Sequence, residues 1–307
     1  MTVAITGASG FIGRRLAAYH RGLGHEVRVL TRGMRSELGP NVFVGDLTTG
    51  SAASLVPFVD GADVLYHCAG EIHDPAQMEA LHIEGTRRLV AAATGRVGRW
   101  VQLSSVGCYG PQKSGVVTEE TAEAPVGLYE VTKAASDTIV REAHRAGHVS
   151  AVVLRPSIVF AADMPNNALR SMARMLRAGL FVYIGGRGAS ANYIHADDVV
   201  SALVRCATVP EAAGRVYNLS DWCTIEEFVC ALADGIGARH PWLRIPLPFA
   251  RVLSTIGGRV PTFPLTQSRV DALSNRARYA TDRIRDELGY APTEALPMAI
   301  QNAASTW

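Results

Sequence analysis

Residues 5–16 read ITGASGFIGRRL and follow directly on a short apolar, strand-like run at 3–6. Gly7, Gly10 and Gly13 set a GxxGxxG spacing at the mouth of a helical pattern that starts at Phe11 and reaches Gly22. Glycine allows a tight turn and a close backbone approach. The first turn of a helix adds unpaired N–H groups and the positive end of its dipole, so the combination suits a bound diphosphate. The stretch predicts the first βαβ unit of a dinucleotide-binding fold.

The alternation continues downstream. Apolar runs at 27–30 (VRVL), 42–45 (VFVG), 63–67 (DVLYH), 100–104 (WVQLS) and 151–155 (AVVLR) read as strands. Residues 76–93 and 129–145 read as helices, the second stopped by Gly147. The strand runs are continuous, as in a parallel sheet covered on both faces by crossover helices. The fold class is therefore α/β, a Rossmann-type doubly wound parallel sheet. Beyond Pro156 the rhythm weakens. Helices are expected at 166–180 and 224–234, strands at 193–195 and 216–219, and prolines at 241, 246, 248, 261 and 264 cut the remainder into short pieces. Residues 1–160, joined by about 193–219, are expected to form the cofactor domain. Residues 161–192 and 220–307 are expected to form a smaller substrate lobe over the strand ends.

Thirty Lys and Arg against 28 Asp and Glu leave a formal charge of +2, too small for a nucleic-acid surface. Five cysteines with no CxxC pair fit a reducing compartment better than a disulfide framework, and no metal is expected. No run of about 18 apolar residues occurs, so no membrane span is expected. The longest mostly apolar stretch, 245–265, is interrupted by Arg251, Arg259 and several prolines and glycines. Without a basic leader before the first strand, a cytoplasmic protein is the expectation.

In NAD binders the second strand ends in an acid that holds the ribose 2′-hydroxyl. Here Thr31 takes that place and Arg32 follows. An arginine suits a 2′-phosphate through charge-assisted contacts, so NADP(H) is favoured, with NAD(H) as the alternative and Arg14 and Arg35 as assisting cations. Asp46 and Leu47 close the third strand, where the carboxylate either accepts from an adenine amino group or caps a helix.

The segments TGASGFIG (6–13), GDL (45–47), HCAG (67–70), LSSVGCYG (103–110), YEVTK (129–133), LRPSIVF (154–160), NYIHADDVV (192–200), YNLS (217–220) and RIRDELGY (283–290) run in this order over essentially the whole chain. Together they resemble the extended short-chain dehydrogenase/reductases, the NAD-dependent epimerase/dehydratase family. The resemblance implies a Rossmann domain with a C-terminal substrate lobe, commonly a homodimer and often acting on nucleotide sugars. It implies Tyr129 as acid/base, Lys133 as its activator and Ser105 as the residue that binds the reacting oxygen. It also implies cofactor contacts at Gly7, Ser9, Gly10, Phe11, Ile12, Gly13, Arg32, Asp46, Leu47, His67, Ala69 and Pro156, beside Tyr129 and Lys133.

The chemistry agrees. Hydride transfer at a carbon–oxygen centre requires a proton to move at the oxygen, and a free tyrosine, with a pKa of about 10, exchanges poorly near neutrality. A lysine four residues on shares its helix face and stabilises the tyrosinate. Ser105 completes a polar clamp on the oxygen, whereas Ser104 reads equally as a strand-end serine bonded to backbone.

One departure narrows the reaction. The family's sugar-nucleotide 4,6-dehydratases carry an Asp-Glu pair just after the catalytic Ser/Thr, and here those positions are Val106 and Gly107. Residues 164–172 resemble the PNN-Leu segment that lies against the sugar diphosphate in nucleotide-sugar epimerases. Asn166 and Asn167 are thus candidate substrate contacts, or caps of the helix that follows. The Arg-Asp that precedes the YIH segment in those epimerases is Ala191-Asn192 here; Arg187, Arg269 and Arg276 are candidates to replace the arginine, with Arg276 taken as the substrate residue. The expected activity is NADPH-dependent reduction of a nucleotide-linked 4-keto-hexose in surface-polysaccharide synthesis. The alternatives are a 4-epimerase with tightly bound NAD, a sterol- or flavonoid-type reductase favoured by the apolar 243–265 stretch, and a non-enzymatic nucleotide-sensing member, which the tyrosine–lysine pair disfavours.

Overall fold

The structure, a computed structural model, describes residues 1–165, 167–257 and 266–307. Seven parallel strands form its main sheet: β1 (Thr2–Thr6), β2 (Glu26–Thr31), β3 (Val42–Val44), β4 (Ala62–His67), β5 (Val97–Leu103), β6 (Ala151–Pro156) and β7 (Val216–Leu219). Their order is β7-β6-β5-β4-β1-β2-β3, so the winding reverses between β1 and β4. In a doubly wound sheet that switch point opens a crevice at the carboxyl ends of the strands. Val3, Ile5, Val64, Leu65, Val101 and Val152 are all buried, which is why the strands read as unbroken apolar runs.

α1 (Phe11–Gly22) buries Ile12, Leu16, Ala17 and His20 against the sheet. Two glycines set how closely it lies. A Cβ at Gly13 would overlap the Gly7 carbonyl oxygen, and one at Gly7, whose φ is +69°, would stand 2.7 Å from the Cys68 carbonyl carbon.

Three helical segments differ from the pattern. α2 (Ala52–Val59) is not announced by the sequence, being short and holding Pro57, and it is started by Ser51, whose Oγ accepts from the Ser54 N–H at 3.2 Å. The expected 76–93 helix is interrupted: α3 (Pro75–Glu79), a π-helical turn at Ala80–Gly85 and α4 (Thr86–Ala93) follow one another. The wide turn accompanies a bond from Thr86 Oγ1 to the His82 carbonyl at 2.6 Å. α5 (Leu128–Arg145) runs as expected, whereas α6 (Ala168–Arg177) stops short of 180 because Gly179 turns left-handed at φ +67°. Asn166 lies outside the described residues, as do 258–265 of the apolar stretch.

α7 (Ala196–Thr208) packs Val199 and Leu203 into the core under the main sheet. The strand just before it does not join that sheet. Ser190–His195 pairs with Ile158–Phe160 and Asp221–Thr224 instead. The reason is its aromatic side: Tyr193 stacks on Phe228 of α8 (Ile225–Gly235) with ring centres 4.6 Å apart, inside a second core with Phe160, Leu169 and Ile300. Phe11 touches both cores. Beside it Arg14 and Arg15 pair with Asp163, and Arg15 Nε lies 3.2 Å from Asp197 Oδ1.

Between β5, β6 and α5, Asp137 is fully buried and its Oδ2 accepts from Ser104 Oγ at 2.6 Å and from Arg155 Nε and Nη2 at 3.2 and 3.1 Å. Arg155 Nη2 also bonds Glu123 Oε1 at 2.6 Å, so losing Asp137 leaves the guanidinium one carboxylate, at a cost toward the lower end of about 3–5 kcal/mol for a broken buried pair. Asp137→Ala is expected to lose that much stability in urea unfolding, and the apolar double variant Asp137→Leu/Arg155→Met to recover most of it.

Candidate active site

The glycine turn after β1 and the carboxyl ends of β2, β3 and β4 border one cleft. Gly7, Ser9, Gly10, Arg32, Asp46, Leu47 and Ala69 line it, joined by Thr31, Arg35, Thr48 and Glu71. Ile12 and Gly13 are buried in the first turn of α1, and Phe11 is held between the two cores. What these three offer a ligand is the unpaired N–H groups of that turn. With no Cβ at 7, 10 or 13 and two arginines at the mouth, the cleft fits a dinucleotide diphosphate.

Thr31 donates its hydroxyl to the Gly33 carbonyl at 2.5 Å, so β2 ends in a closed turn and no carboxylate. Asp46 caps a turn and not a helix: its Oδ1 accepts from the Thr48 N–H at 2.8 Å and from Thr48 Oγ1 at 2.7 Å. Burial pushes the Asp46 carboxyl up, but the Thr48 and Thr49 bonds and the nearby Arg32 charge outweigh it and hold it below the usual carboxylate range.

Ser105 follows β5 as the cap of a 3-10 turn, Val106–Tyr109, and its Oγ accepts from the Gly107 N–H at 3.1 Å. Its own proton is left to donate. Ser104 donates to the Asp137 carboxylate, not to backbone. α5 packs on the 3-10 turn, and Lys133 donates to the Leu103 carbonyl at 2.7 Å at the very end of β5. Tyr129, one turn earlier on α5, is thereby brought to the same strand end. Burial, then the charges of Glu130 and Asp137, push the Tyr129 phenol up to about 12. The expected lowering by Lys133 does not appear, because that ammonium is bound at Leu103 and is itself pushed down by burial, with Asp137 opposing.

His67, expected beside the cofactor, spends both ring nitrogens inside the protein. Its Nδ1 lies 2.7 Å from Thr6 Oγ1 and its Nε2 3.1 Å from Thr86 Oγ1. Thr86 Oγ1 gives its proton to the His82 carbonyl and so accepts from His67 Nε2–H, which leaves Nδ1 to accept from Thr6 Oγ1, and the chain continues through Thr86, Ser136, Gln102 and Trp100. His82 forms a second link that the sequence did not suggest. Its Nε2 accepts from the Glu71 N–H at 2.9 Å, so Nδ1 donates to Thr132 Oγ1 at 2.8 Å, and its ring stands edge-on to Tyr129 at 5.7 Å.

Of the expected substrate contacts, Asn167 begins α6 with its carbonyl accepting from Ser171 N–H at 2.8 Å, while its side chain makes no capping bond. It borders a separate groove with Arg170, Arg177 and Trp307. Arg276 donates to the Arg187 carbonyl. Pro156 is buried at the end of β6. One residue was overlooked: a Cβ at Gly107 would stand 2.7 Å from Glu130 Cγ and 3.4 Å from Ser105 Oγ. The Glu130 stem therefore fills the space a side chain at 107 would take, and the pairing of that glycine with an acid next to the tyrosine is the signal that could have found it.

The family model described as the NAD dependent epimerase/dehydratase family matches residues 3–220. The 4-hydroxy-2-methyl-3-oxo-4-farnesyl-3,4-dihydroquinoline-1-oxide ketoreductase of Stigmatella aurantiaca is 26% identical over 95% of this chain and 92% of its own length. The dTDP-6-deoxy-L-talose 4-dehydrogenase (NAD(P)(+)) of Kitasatospora kifunensis is 35% identical over 54% of this chain and 55% of that protein. RMD from Pseudomonas aeruginosa, solved in complex with NADPH, shares the fold with a TM-score of 0.71 at 23% identity, over 100% of this chain and 99% of that one. No helix among the described residues is long and apolar enough to cross a membrane.

The buried histidines make stability depend on acid. Burial, followed by the charges of Lys133 and His82, lowers His67 to about 3; burial, followed by Lys133, lowers His82 to about 4. Unfolded histidine titrates near 6.5, so below that pH the unfolded chain binds more protons and stability is lost toward the folded values, by about 1.4 kcal/mol per pH unit per histidine. The melting temperature is expected to fall from pH 7 to pH 4.5, and a constant value would contradict the assignment of neutral, buried rings.

Proposed function

The chain belongs to the NAD dependent epimerase/dehydratase family, and we propose that within it the protein is an NADPH-dependent reductase converting the ketone of a nucleotide-linked 4-keto-hexose to the 4-hydroxyl, in surface-polysaccharide synthesis. The observation that supports the reading is the packing of α5, with Tyr129 one turn before Lys133, on the 3-10 turn that Ser105 caps at the end of β5. A phenol held near 12 stays protonated at neutral pH and still gives its proton readily to an alkoxide. Ser105 donates to the same oxygen and holds it in place. Lys133, one turn on from Tyr129, is anchored on the Leu103 carbonyl at the same strand end. Bound NADPH would supply the hydride. Elimination of water would need an acid and a base together, and Val106 and Gly107 provide neither, leaving Glu130 as a single carboxylate.

Thr31, closed onto Gly33, and the arginines at 32 and 35 support NADPH over NADH. The likeness to a deoxy-sugar-nucleotide 4-dehydrogenase supports the substrate class. Two copies would pair through α4 and α5, giving the homodimer. A second reading, an apolar ketone as substrate, is favoured by Trp242, 86% exposed, and by Phe249 and Val252, exposed on α9 (Leu247–Gly257). The farnesyl-bearing substrate named for the Stigmatella relative points the same way.

Product mass spectrometry after incubation with NADPH and either nucleotide 4-keto sugars or long-chain alkyl ketones separates the two readings, with the sugars expected to be reduced. Tyr129→Phe is expected to abolish turnover while NADPH binding stays nearly intact; retained turnover would remove the proton-donor role. Arg32→Ala is expected to weaken NADPH far more than NADH in fluorescence titration, and equal losses would overturn the cofactor preference.

A further inference from the structure

We propose that His82 is a positioning residue of this site: through a directed chain of hydrogen bonds it ties the wall of the cofactor cleft to the helix turn that carries Tyr129. The role rests on the reading of Tyr129 as the proton donor of a reductase, and it adds a residue that acts through its neighbours.

Every bond of the chain has a fixed direction. The Glu71 N–H can only donate, so His82 Nε2 accepts from it at 2.9 Å and the ring proton lies on Nδ1. Nδ1 then donates to Thr132 Oγ1 at 2.8 Å. Thr132 in turn gives its own proton to the carbonyls of Leu128 and Tyr129, at 2.9 and 3.1 Å. The chain thus ends on the backbone of the tyrosine itself, and the His82 ring stands edge-on to the Tyr129 ring, 5.7 Å between centres. Its other end lies in the cleft. Ala69, Gly70 and Glu71 line the same cleft as Gly7 and Gly10, and a Cβ at Gly70 would stand 3.6 Å from His82 Nε2. His82 and Thr132 are both buried, so a donor or acceptor that loses its partner here has no ready replacement in water. Burial, followed by the Lys133 charge, holds the ring neutral at physiological pH and so keeps Nε2 an acceptor. The π-helical turn Ala80–Gly85 delivers the ring to this place, since it carries His82 and packs on α5. Turns of this kind gather at functional sites. Packing alone would be met by an apolar ring; the two polar ends are what join the cleft to the tyrosine.

An asparagine amide reaches the place of Nδ1 and a glutamine amide that of Nε2, so two variants separate the two ends. His82→Gln keeps an acceptor for Glu71 and loses the donor to Thr132. It is expected to bind NADPH as the native protein does in fluorescence titration, but to slow single-turnover ketone reduction about three- to tenfold, the usual effect of one neutral hydrogen bond. His82→Asn keeps the donor to Thr132 and loses the acceptor for Glu71. Its Kd for NADPH is expected to rise by a similar factor, with most of the single-turnover rate recovered at saturating NADPH. His82→Leu is expected to show both losses. Melting temperatures of the three variants are measured alongside. If the Gln and Asn variants lose rate and affinity alike, in step with their melting temperatures, or lose neither, the role of His82 is overturned. The titration needs no ketone. A native enzyme that reduces neither nucleotide 4-keto sugars nor alkyl ketones removes the reductase reading and the Tyr129 end of the chain with it, and unequal NADPH affinities in the two variants would still uphold the cleft end.

Discussion

The contact between Gly13 and the Gly7 carbonyl is the constraint on which the molecule is arranged. It seats the first turn of α1 directly on the end of β1, where a side chain at 13 would force the two apart, while one at 7 would run into the backbone of Cys68 after β4. Because α1 cannot shift, its unpaired N–H groups face the switch point between β1 and β4. The same turn carries Phe11, Arg14 and Arg15. Phe11 packs into both cores, and the two arginines reach Asp163 on the chain entering the second lobe. One glycine contact therefore positions the N–H groups of the first turn of α1 and the joint between the two cores together.

Behind the reactive end lies a polar interior that would be unfavourable if any member were left unpaired. Lys133 bonds to Leu103, the Oδ2 of Asp137 to Ser104 and Arg155 while its Oδ1 has no partner among the described residues, and His82 bonds to Glu71 and Thr132. These bonds connect α5, the π-helical turn and the ends of β5 and β6, so the tyrosine's helix is fixed from three sides. In such a setting burial first and then the nearby carboxylates push the Tyr129 phenol up.

Much of this was legible in the residue pattern. The glycine spacing, the continuous apolar runs and the tyrosine–lysine pair pointed to the parallel sheet, the cleft and the end of β5, because each depends on local geometry or on burial on both faces. What was not legible depends on contacts between distant segments. The 76–93 pattern reads as one helix because nothing local marks the π turn. The strand at 190–195 looks like its neighbours, and only the stacking of Tyr193 on Phe228 takes it out of the main sheet. His67 sits where a cofactor contact was expected, but Thr6 and Thr86, 61 and 19 residues away, claim its ring.

YEVTK carried its reading of Tyr129 and Lys133 in five letters, since a spacing of four puts both on one helix face whatever the rest of the chain does. The phosphate turn was likewise determined by the sequence alone, since only glycine leaves the backbone room it needs. Glu130, inside the same five letters, had no assignable role there. Its place over Gly107 arises from the packing of α5 against the 3-10 turn, a contact across 23 residues that no local rule predicts. The lack of an acid at 106 and 107 was plain in the sequence; that the stem of Glu130 fills the space over Gly107, with its carboxylate turned toward Gly127, was decided by the tertiary structure.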